Sequence, residues 1–263
     1  MNKNIVLSKN HIDAAIEFAK KFWDAGKSSR DFGSEDVRKS ESDKLADTIS
    51  GKLAEIAFSL FAKREFDIDI KLDFEIMEGK LEIDNGQDIK LIDDQEPFCR
   101  ADIKGSKKIA RWLLVEQHKI SDLIIDSDFY ISVSLDLPTD IEEDWNKFVQ
   151  MNTIAAQIDG YIKKRLFFDK HGIPWFDYMR GNRLYSISYV EYVVSRMARP
   201  FFANDLKNSL LKKTKEFDGK IYMGGPLKAT RNLGMPKQYL KSEKNDFEVL
   251  FGILAGAEEG KCH

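Results

Sequence analysis

The feature that most constrains the fold is a change of hydrophobic period near residue 65. Over roughly 43–63 the apolar residues recur at helical spacing. This stripe consists of Ala46, Ile49, Leu53, Ile56, Ala57 and Leu60. In "FDIDIKLDFEI", residues 66–76, apolar and charged residues then alternate, which is typical of a half-buried strand. A long helix followed directly by strands predicts a domain in which the helix packs on a sheet.

Other segments extend this pattern along the chain. A helix is predicted over 9–26, and strands over 82–94 (with a turn at Asn85-Gly86), 98–104 and 128–137. Weaker patterns predict helices at 115–125, 185–197 and 205–216, a loop at 225–244 and an apolar element at 248–256. This order predicts an α/β fold, bordering on α+β, with a central mixed β-sheet flanked by helices.

Composition excludes several classes of protein. The chain has 263 residues and a net charge of −3, which fits one domain over 1–263 without an overall basic charge. No apolar run is long enough to span a bilayer, and the N-terminus lacks a secretory signal, so we expect a cytoplasmic protein with no membrane partner. Cys99 and Cys262 lie far apart, which fits unpaired thiols in a reducing compartment. The chain also lacks the glycine-rich loops that bind nucleotide cofactors.

The tripeptide Asp-Ile-Lys occurs three times, at 69–71, 88–90 and 102–104. The first two copies lie among acidic residues, as expected of solvated strand faces. The third, in "CRADIKGSKK", is surrounded by bases instead. These are Arg100, Lys104, Lys107, Lys108 and Arg111, against Asp102 alone. A carboxylate in a basic, glycine-containing strand end suits an anionic ligand bridged by a metal ion.

A magnesium site usually needs one or two carboxylates together with a phosphate of the substrate. Asp88 lies fourteen residues before Asp102, and a chain reversal between them would bring the two together. Glu55 is a third candidate, because it lies on the long helix beside Gly51 and Phe58, on a second small and apolar face. A carboxylate at the margin of such a face needs a partner, for which a metal ion or a lysine would serve. The alternative is a glutamate that reaches solvent at the rim of the helix.

The ordered set of "GKLAE" (51–55) on a helix, Asp88, and "ADIKGSKK" (101–108) resembles the PD-(D/E)XK nuclease superfamily. Within it, the chain looks like a type II restriction endonuclease. The resemblance implies a restriction-endonuclease-like core over about 41–137. Residues 138–263 would then complete the core and supply elements for DNA recognition and dimerisation.

The resemblance also implies roles for single residues. Asp88, Asp102 and the Ile103 carbonyl would hold Mg²⁺, Lys104 would be the catalytic lysine, and Glu55 would assist as a helical acid or as a ligand of a second metal ion. Gln87 stands where many members of the family have proline. The first acid could therefore be Asp84 or Asp93 instead of Asp88.

A nuclease with a negative net charge must concentrate bases where the phosphates of DNA lie. The predicted loop 225–244 combines bases with asparagine and could be a recognition loop. The candidate DNA-binding residues are Lys107, Lys108, Arg180, Arg183, Lys228, Arg231 and Lys237.

Together these features predict a Mg²⁺-dependent, sequence-specific double-stranded DNA endonuclease. A homodimer is expected, since a twofold protein matches a palindromic site. Two alternatives remain open at this point. One is a structure-specific or DNA-repair nuclease of the same fold, and the other is a non-catalytic nucleic-acid-binding protein.

Overall fold

The structure, a computed structural model, describes ten stretches of the chain. They are 1–24, 41–74, 87–116, 127–138, 145–167, 176–179, 182–186, 214–217, 220–224 and 231–257. The helices described are α1 (Lys9–Asp24), α2 (Glu41–Phe66), α3 (Trp145–Val149) and α4 (Lys244–Leu254), with short 3-10 helices at Lys164–Phe167 and Lys237–Tyr239. The strands described are β1 (Asn4–Ser8), β2 (Ile70–Leu72), β3 (Ile89–Ile92), β4 (Ala101–Lys107), β5 (Trp112–Glu116), β6 (Phe129–Leu135), β7 (Thr153–Lys163), β8 (Phe176–Met179), β9 (Asn182–Ser186), β10 (Thr214–Phe217), β11 (Lys220–Gly224) and β12 (Arg231–Pro236).

A four-stranded mixed sheet forms the centre of the fold, in the order β1-β7-β6-β4. Strand β4 runs parallel to β6, whereas β1 and β6 both run antiparallel to β7. Every residue of β6 is buried, as expected of a central strand covered on both faces. The predicted combination of a mixed sheet with helices is therefore confirmed. Strand β4 lies at one edge of this sheet.

Helix α2 packs against the central sheet and against the other long helices. It contacts β4 and β6 on the sheet, and α1 packs against α2 and also touches β1 and β7. Aromatic rings join it to α4, since Phe58 stacks on Phe251 and Phe61 meets Phe247 edge to face. Because α2 is covered from several directions, its apolar residues spread beyond one stripe, and polar residues on it can be buried.

A six-stranded sheet in the order β10-β11-β9-β8-β12-β5 adjoins the core. Strands β5 and β12 pack on the central sheet through a second apolar cluster, which includes Leu113, Met235, Tyr130 and Ile162. Strands β2 and β3 form a separate antiparallel pair. No helix within the described ranges has the length and apolar character needed to cross a membrane.

Several local predictions were wrong. Helix α2 continues to Phe66, so the strand predicted over 66–76 is reduced to β2. The loop predicted at 225–244 contains β12. Residues 185–186, at the start of one predicted helix, and 214–216, at the end of another, belong to strands β9 and β10. Antiparallel pairing with neighbouring strands satisfies the backbone there, and this overrides weak local preferences. The rest of the two predicted helices and the turn at Asn85-Gly86 lie outside the described residues.

Cys99 also differs from expectation. It is buried in the main apolar cluster, and it takes part in a disulfide bond, although the sequence predicted an unpaired thiol.

Gly105 allows α2 to approach the sheet closely. A Cβ atom at this position would lie 2.6 Å from the Ser50 carbonyl oxygen and 3.1 Å from the Ala54 Cβ. The sequence suggested that this glycine-containing strand end suits an anionic ligand, whereas in the structure helix α2 packs against the glycine.

We expect Gly105→Ala to lower the free energy of unfolding by about 1–3 kcal/mol, because a backbone oxygen cannot move away without shifting α2. Gly51→Ala is the matched control, since a Cβ at Gly51 meets nothing within 4 Å. That helical substitution should stabilise by about 0.5–1 kcal/mol. Denaturant unfolding measures both variants. Equal stability of Gly105→Ala and the wild type would contradict the close packing.

Candidate active site

Asp88 lies beside the edge of β4 that does not pair with β6. Its backbone N–H donates to the Ala101 carbonyl at 3.2 Å, and the Ile103 N–H donates to Asp88 Oδ2 at 2.6 Å. The following strand, β3, pairs with β2. Asp88 therefore lies where the chain passes from the β2–β3 pair to the edge of the central sheet. This position brings Asp88 close to Asp102, the other acid of the predicted metal site.

Asp102 and Lys104 lie two residues apart on β4, so their side chains share one face of the strand. Lys104 Nζ lies 2.7 Å from Asp102 Oδ2. The Asp102 side chain is only 5% exposed. Among the described residues, its Oδ2 atom is a buried oxygen with no hydrogen-bond partner. The ammonium is thus close enough for ionic attraction without being aligned as a hydrogen-bond donor. A buried carboxylate oxygen in this state has capacity for a cation.

Glu55 lies on α2 and is buried, as the sequence predicted for a helical acid. Its Oε2 atom accepts a hydrogen bond from Lys52 Nζ at 2.7 Å. The same ammonium donates to the Asp73 carbonyl at 2.6 Å. This contact was not predicted from the sequence. The available signal was the i,i+3 spacing of the two residues, which places them on one helix face.

The carboxylates form one electrostatic cluster. Burial raises the pKa of Glu55 well above its usual range, and the charges of Asp88 and Asp102 add to this effect against the opposing charge of Lys52. Burial also raises the pKa of Asp88 to about 7, with a further contribution from Asp102. Lys104, the Ile103 N–H and Lys52 oppose that rise. Glu55 on α2 and Asp88 beside β3 therefore respond to the charge of neighbouring acids, as expected when such groups converge.

The positions of the candidate residues help to decide which aspartate is the first acid of the predicted metal site. Asp93 lies in the exposed turn after β3 with a φ of 47°, and its Oδ1 atom accepts the Asp69 N–H. It has a structural role in that turn, whereas Asp88 contacts β4 directly. Asp84 lies outside the described residues.

The residues at the β4 edge fit a magnesium ion in chemical type. Mg²⁺ prefers oxygen ligands and usually takes one or two carboxylates while keeping several waters. Asp88 and Asp102 offer such carboxylates, and within the described residues Asp102 Oδ2 accepts no hydrogen bond, although Lys104 Nζ lies 2.7 Å away. Within the described stretches, no group of three or more His, Cys, Asp or Glu side chains is placed to hold a metal ion. The fit is therefore that of a site with few protein ligands.

The candidate DNA-binding residues are only partly placed. Lys107 ends β4, and Lys108 follows it with 62% of its side chain exposed and with Asp136 at 3.7 Å. Arg183 belongs to β9, and Arg231 begins β12. Arg180 and Lys228 lie outside the described residues.

Lys237 lies in the 3-10 helix after β12 and not on an exposed loop, and its contact with DNA stays a prediction. Its side chain is 12% exposed, and Nζ lies 2.8 Å from Asp159 Oδ2. The ammonium also donates to Ser106 Oγ at 2.9 Å and to Ser134 Oγ at 2.7 Å. These acceptors engage the ammonium and link the 3-10 helix after β12 to the central sheet.

Lys237→Ala should therefore cost about 3 kcal/mol of unfolding free energy, because it leaves Asp159 buried without its cation. Lys108→Ala is the matched control, since its ion pair with Asp136 is long and exposed, and it should change stability by less than about 0.5 kcal/mol. Chemical denaturation compares the two variants. Equal effects would contradict the structural role of Lys237.

Comparison of the chain with protein-family models, with curated proteins and with solved structures gave no match. The arrangement of side chains at the edge of β4 is therefore the basis for a functional hypothesis.

Proposed function

We propose that this protein is a Mg²⁺-dependent endonuclease that hydrolyses phosphodiester bonds in double-stranded DNA, of the type II restriction kind. The observation that carries the proposal is the convergence of Glu55, Asp88, Asp102 and Lys104 at the edge of β4, where the buried Asp102 Oδ2 has the Lys104 ammonium at 2.7 Å but accepts no hydrogen bond among the described residues. Carboxylates that are buried and close to one another repel each other and destabilise the fold, and such groups often mark functional sites. A bound cation would offset this repulsion and attract an anionic substrate.

Asp88 and Asp102, with the Ile103 carbonyl, would hold the ion. When bound there, Mg²⁺ supplies Lewis acidity and lowers the pKa of a water molecule. Lys104 places a positive charge beside Asp102, where it can orient the attacking water and offset the negative charge that develops on the phosphate in the transition state. The Ile103 N–H fixes the Asp88 carboxylate in position through its hydrogen bond.

The end of β4 leads into the basic turn that contains Lys107 and Lys108. A DNA strand that places one phosphate at Lys104 would continue towards this turn. Cleavage of both strands needs two active sites, so the proposal includes a homodimer whose twofold symmetry matches that of a palindromic site. We expect the protein to act in the cytoplasm.

The proposal is tested with the purified full-length chain on long, unmodified duplex DNA from several sources in the presence of Mg²⁺. We expect discrete fragments on a gel, and none when EDTA is added. Cleavage confined to nicked, branched or mismatched DNA would favour a structure-specific or repair nuclease. Absence of cleavage on every substrate, together with absence of Mg²⁺ binding, would contradict a catalytic role.

Lys108 provides a separate test of the DNA path. Lys108→Ala should weaken DNA binding for all sequences alike and reduce the slope of log K against log salt concentration by about 1. Lys71→Ala is the control, because Lys71 is equally exposed but lies on β2. Binding is measured by fluorescence anisotropy in Ca²⁺ at several salt concentrations. Equal slopes for Lys108→Ala and Lys71→Ala would place the DNA elsewhere.

A further inference from the structure

The cation that contacts Glu55 is a lysine from its own helix. Lys52 Nζ lies 2.7 Å from Glu55 Oε2, with side chains only 11% and 7% exposed. The ammonium is fixed from other sides as well. It donates to the Asp73 carbonyl and lies 4.5 Å from the ring centroid of Phe18 and 5.2 Å from that of Phe74. Lys52 is therefore held inside the protein and cannot be treated as a surface side chain that swings through solvent.

The ion pair with Lys52 already engages Glu55, the acidic residue on helix α2. An ammonium and a divalent cation compete for the same carboxylate oxygens, and Glu55 already has Lys52 on Oε2. Asp102 Oδ2 also has an ammonium at 2.7 Å, that of Lys104, but the Lys104 side chain is 24% exposed, and among the described residues Oδ2 accepts no hydrogen bond. The two acids are both buried and belong to one electrostatic cluster, but the ammonium beside Asp102 is held less firmly than the one beside Glu55 and can move aside for a metal ion more readily.

The sum of the charges in the site favours the binding of one divalent cation over two. A bound divalent cation favours the ionised form of nearby carboxylates, so the charge count for the loaded site sets Glu55, Asp88 and Asp102 against the two ammonium groups of Lys52 and Lys104. One divalent cation would bring the total to one positive charge, which a single phosphodiester would neutralise. A second divalent cation would leave two positive charges uncompensated in a buried site, which is unfavourable.

We propose that Lys52 takes the place of a second divalent cation, so that the site binds one divalent cation per chain. Glu55 is then a positioning residue that holds Lys52, and it does not ligate the metal ion. This inference rests on the proposed endonuclease function, because it concerns the same cluster of side chains.

The first test is a titration of the full-length chain with Mn²⁺, followed by calorimetry and by the electron paramagnetic resonance signal of free Mn²⁺. We expect one bound ion per chain. Glu55→Gln should change the Mn²⁺ affinity by less than about threefold, and Asp102→Asn should lower it by about tenfold or more. A loss of about tenfold in Glu55→Gln would show Glu55 to be a ligand and would overturn the inference.

The second test removes the resident cation. Lys52→Met should bind a second Mn²⁺, and the double variant Lys52→Met with Glu55→Gln should return to one ion. Lys52→Arg, which keeps the positive charge, should bind one ion throughout. A Lys52→Met variant that folds and still binds one ion would overturn the inference. If Lys52→Met does not fold, the wild type and Glu55→Gln decide the question.

The outcomes separate this inference from the function on which it rests. Two Mn²⁺ ions bound to the wild type, together with DNA cleavage, would overturn the role of Lys52 and leave the endonuclease intact. No bound Mn²⁺ and no cleavage would overturn both.

Discussion

Lys104→Ala is expected to lower the rate of DNA cleavage by about 10³-fold or more while leaving DNA affinity within about fivefold of the wild type. The reason is the position of the ammonium, 2.7 Å from Asp102 Oδ2 at the edge of β4. A charge placed there acts on the reacting phosphate more strongly in the transition state than in the bound substrate. Single-turnover cleavage and binding in Ca²⁺ measure the two quantities separately.

The chain offers a matched control in another copy of the same tripeptide. Lys71 also follows Asp-Ile, but its side chain is 61% exposed and pairs with Asp94. Lys71→Ala should therefore retain cleavage within about twofold of the wild type, since substitutions at exposed sites usually have small effects. A Lys104→Ala variant that cuts DNA as fast as Lys71→Ala would remove Lys104 from the active site.

Asp88→Asn is expected to stabilise the metal-free protein by about 2 kcal/mol at pH 8 and to abolish cleavage. The folded state raises the pKa of Asp88 to about 7, well above the value near 4 of an unfolded chain. Between these values the folded state binds more protons than the unfolded state, so stability falls as the pH rises from about 4 to about 7. Asparagine keeps a side-chain oxygen to accept the Ile103 N–H and removes the charge. We expect less than the full effect of the shift, because Asp88 is only half-buried.

Denaturant unfolding in EDTA at pH 5, 6, 7 and 8 checks this expectation. The wild type should lose stability across the range, and Asp88→Asn should lose less, with the remaining slope due to Glu55. The exposed acid Asp94 supplies the control, since Asp94→Asn should follow the wild-type slope. If the stability of the wild type increased from pH 5 to pH 7, this would contradict the claim that burial and mutual repulsion destabilise the ionised acids. Full cleavage activity in Asp88→Asn would contradict its role as a ligand.

The parts of the fold that could be predicted from the sequence are those where local pattern and tertiary packing agree. Helix α2, predicted over roughly 43–63, and strand β6, predicted over 128–137, form close to their predicted bounds, because their apolar residues pack into the main core. The strand predicted over 66–76 was wrong at its start. Phe66 packs against Phe61 and Phe251, and these contacts favour continuation of the helix. No local pattern carries that information.

The candidate site could be predicted only in part, for a similar reason. Asp102 and Lys104 are two residues apart on one strand, so their contact follows from strand geometry alone. The position of Asp88 depends on a backbone hydrogen bond to Ala101, which spacing in the sequence can allow but cannot require. Lys52 and Lys237 are polar residues that look solvated in the sequence. Both are buried because elements from distant parts of the chain cover them.

The central claim is that Asp102 and its neighbours at the edge of β4 form the catalytic centre of a DNA endonuclease. The most direct measurement is Mg²⁺-dependent cleavage of long, unmodified duplex DNA by the wild type and by Asp102→Asn, with sequencing of the fragment ends. We expect the wild type to give discrete fragments that end at one recurring sequence, and Asp102→Asn to bind the same DNA without cutting it. Equal cleavage by the two proteins, or no cleavage by the wild type on any DNA, would contradict the claim.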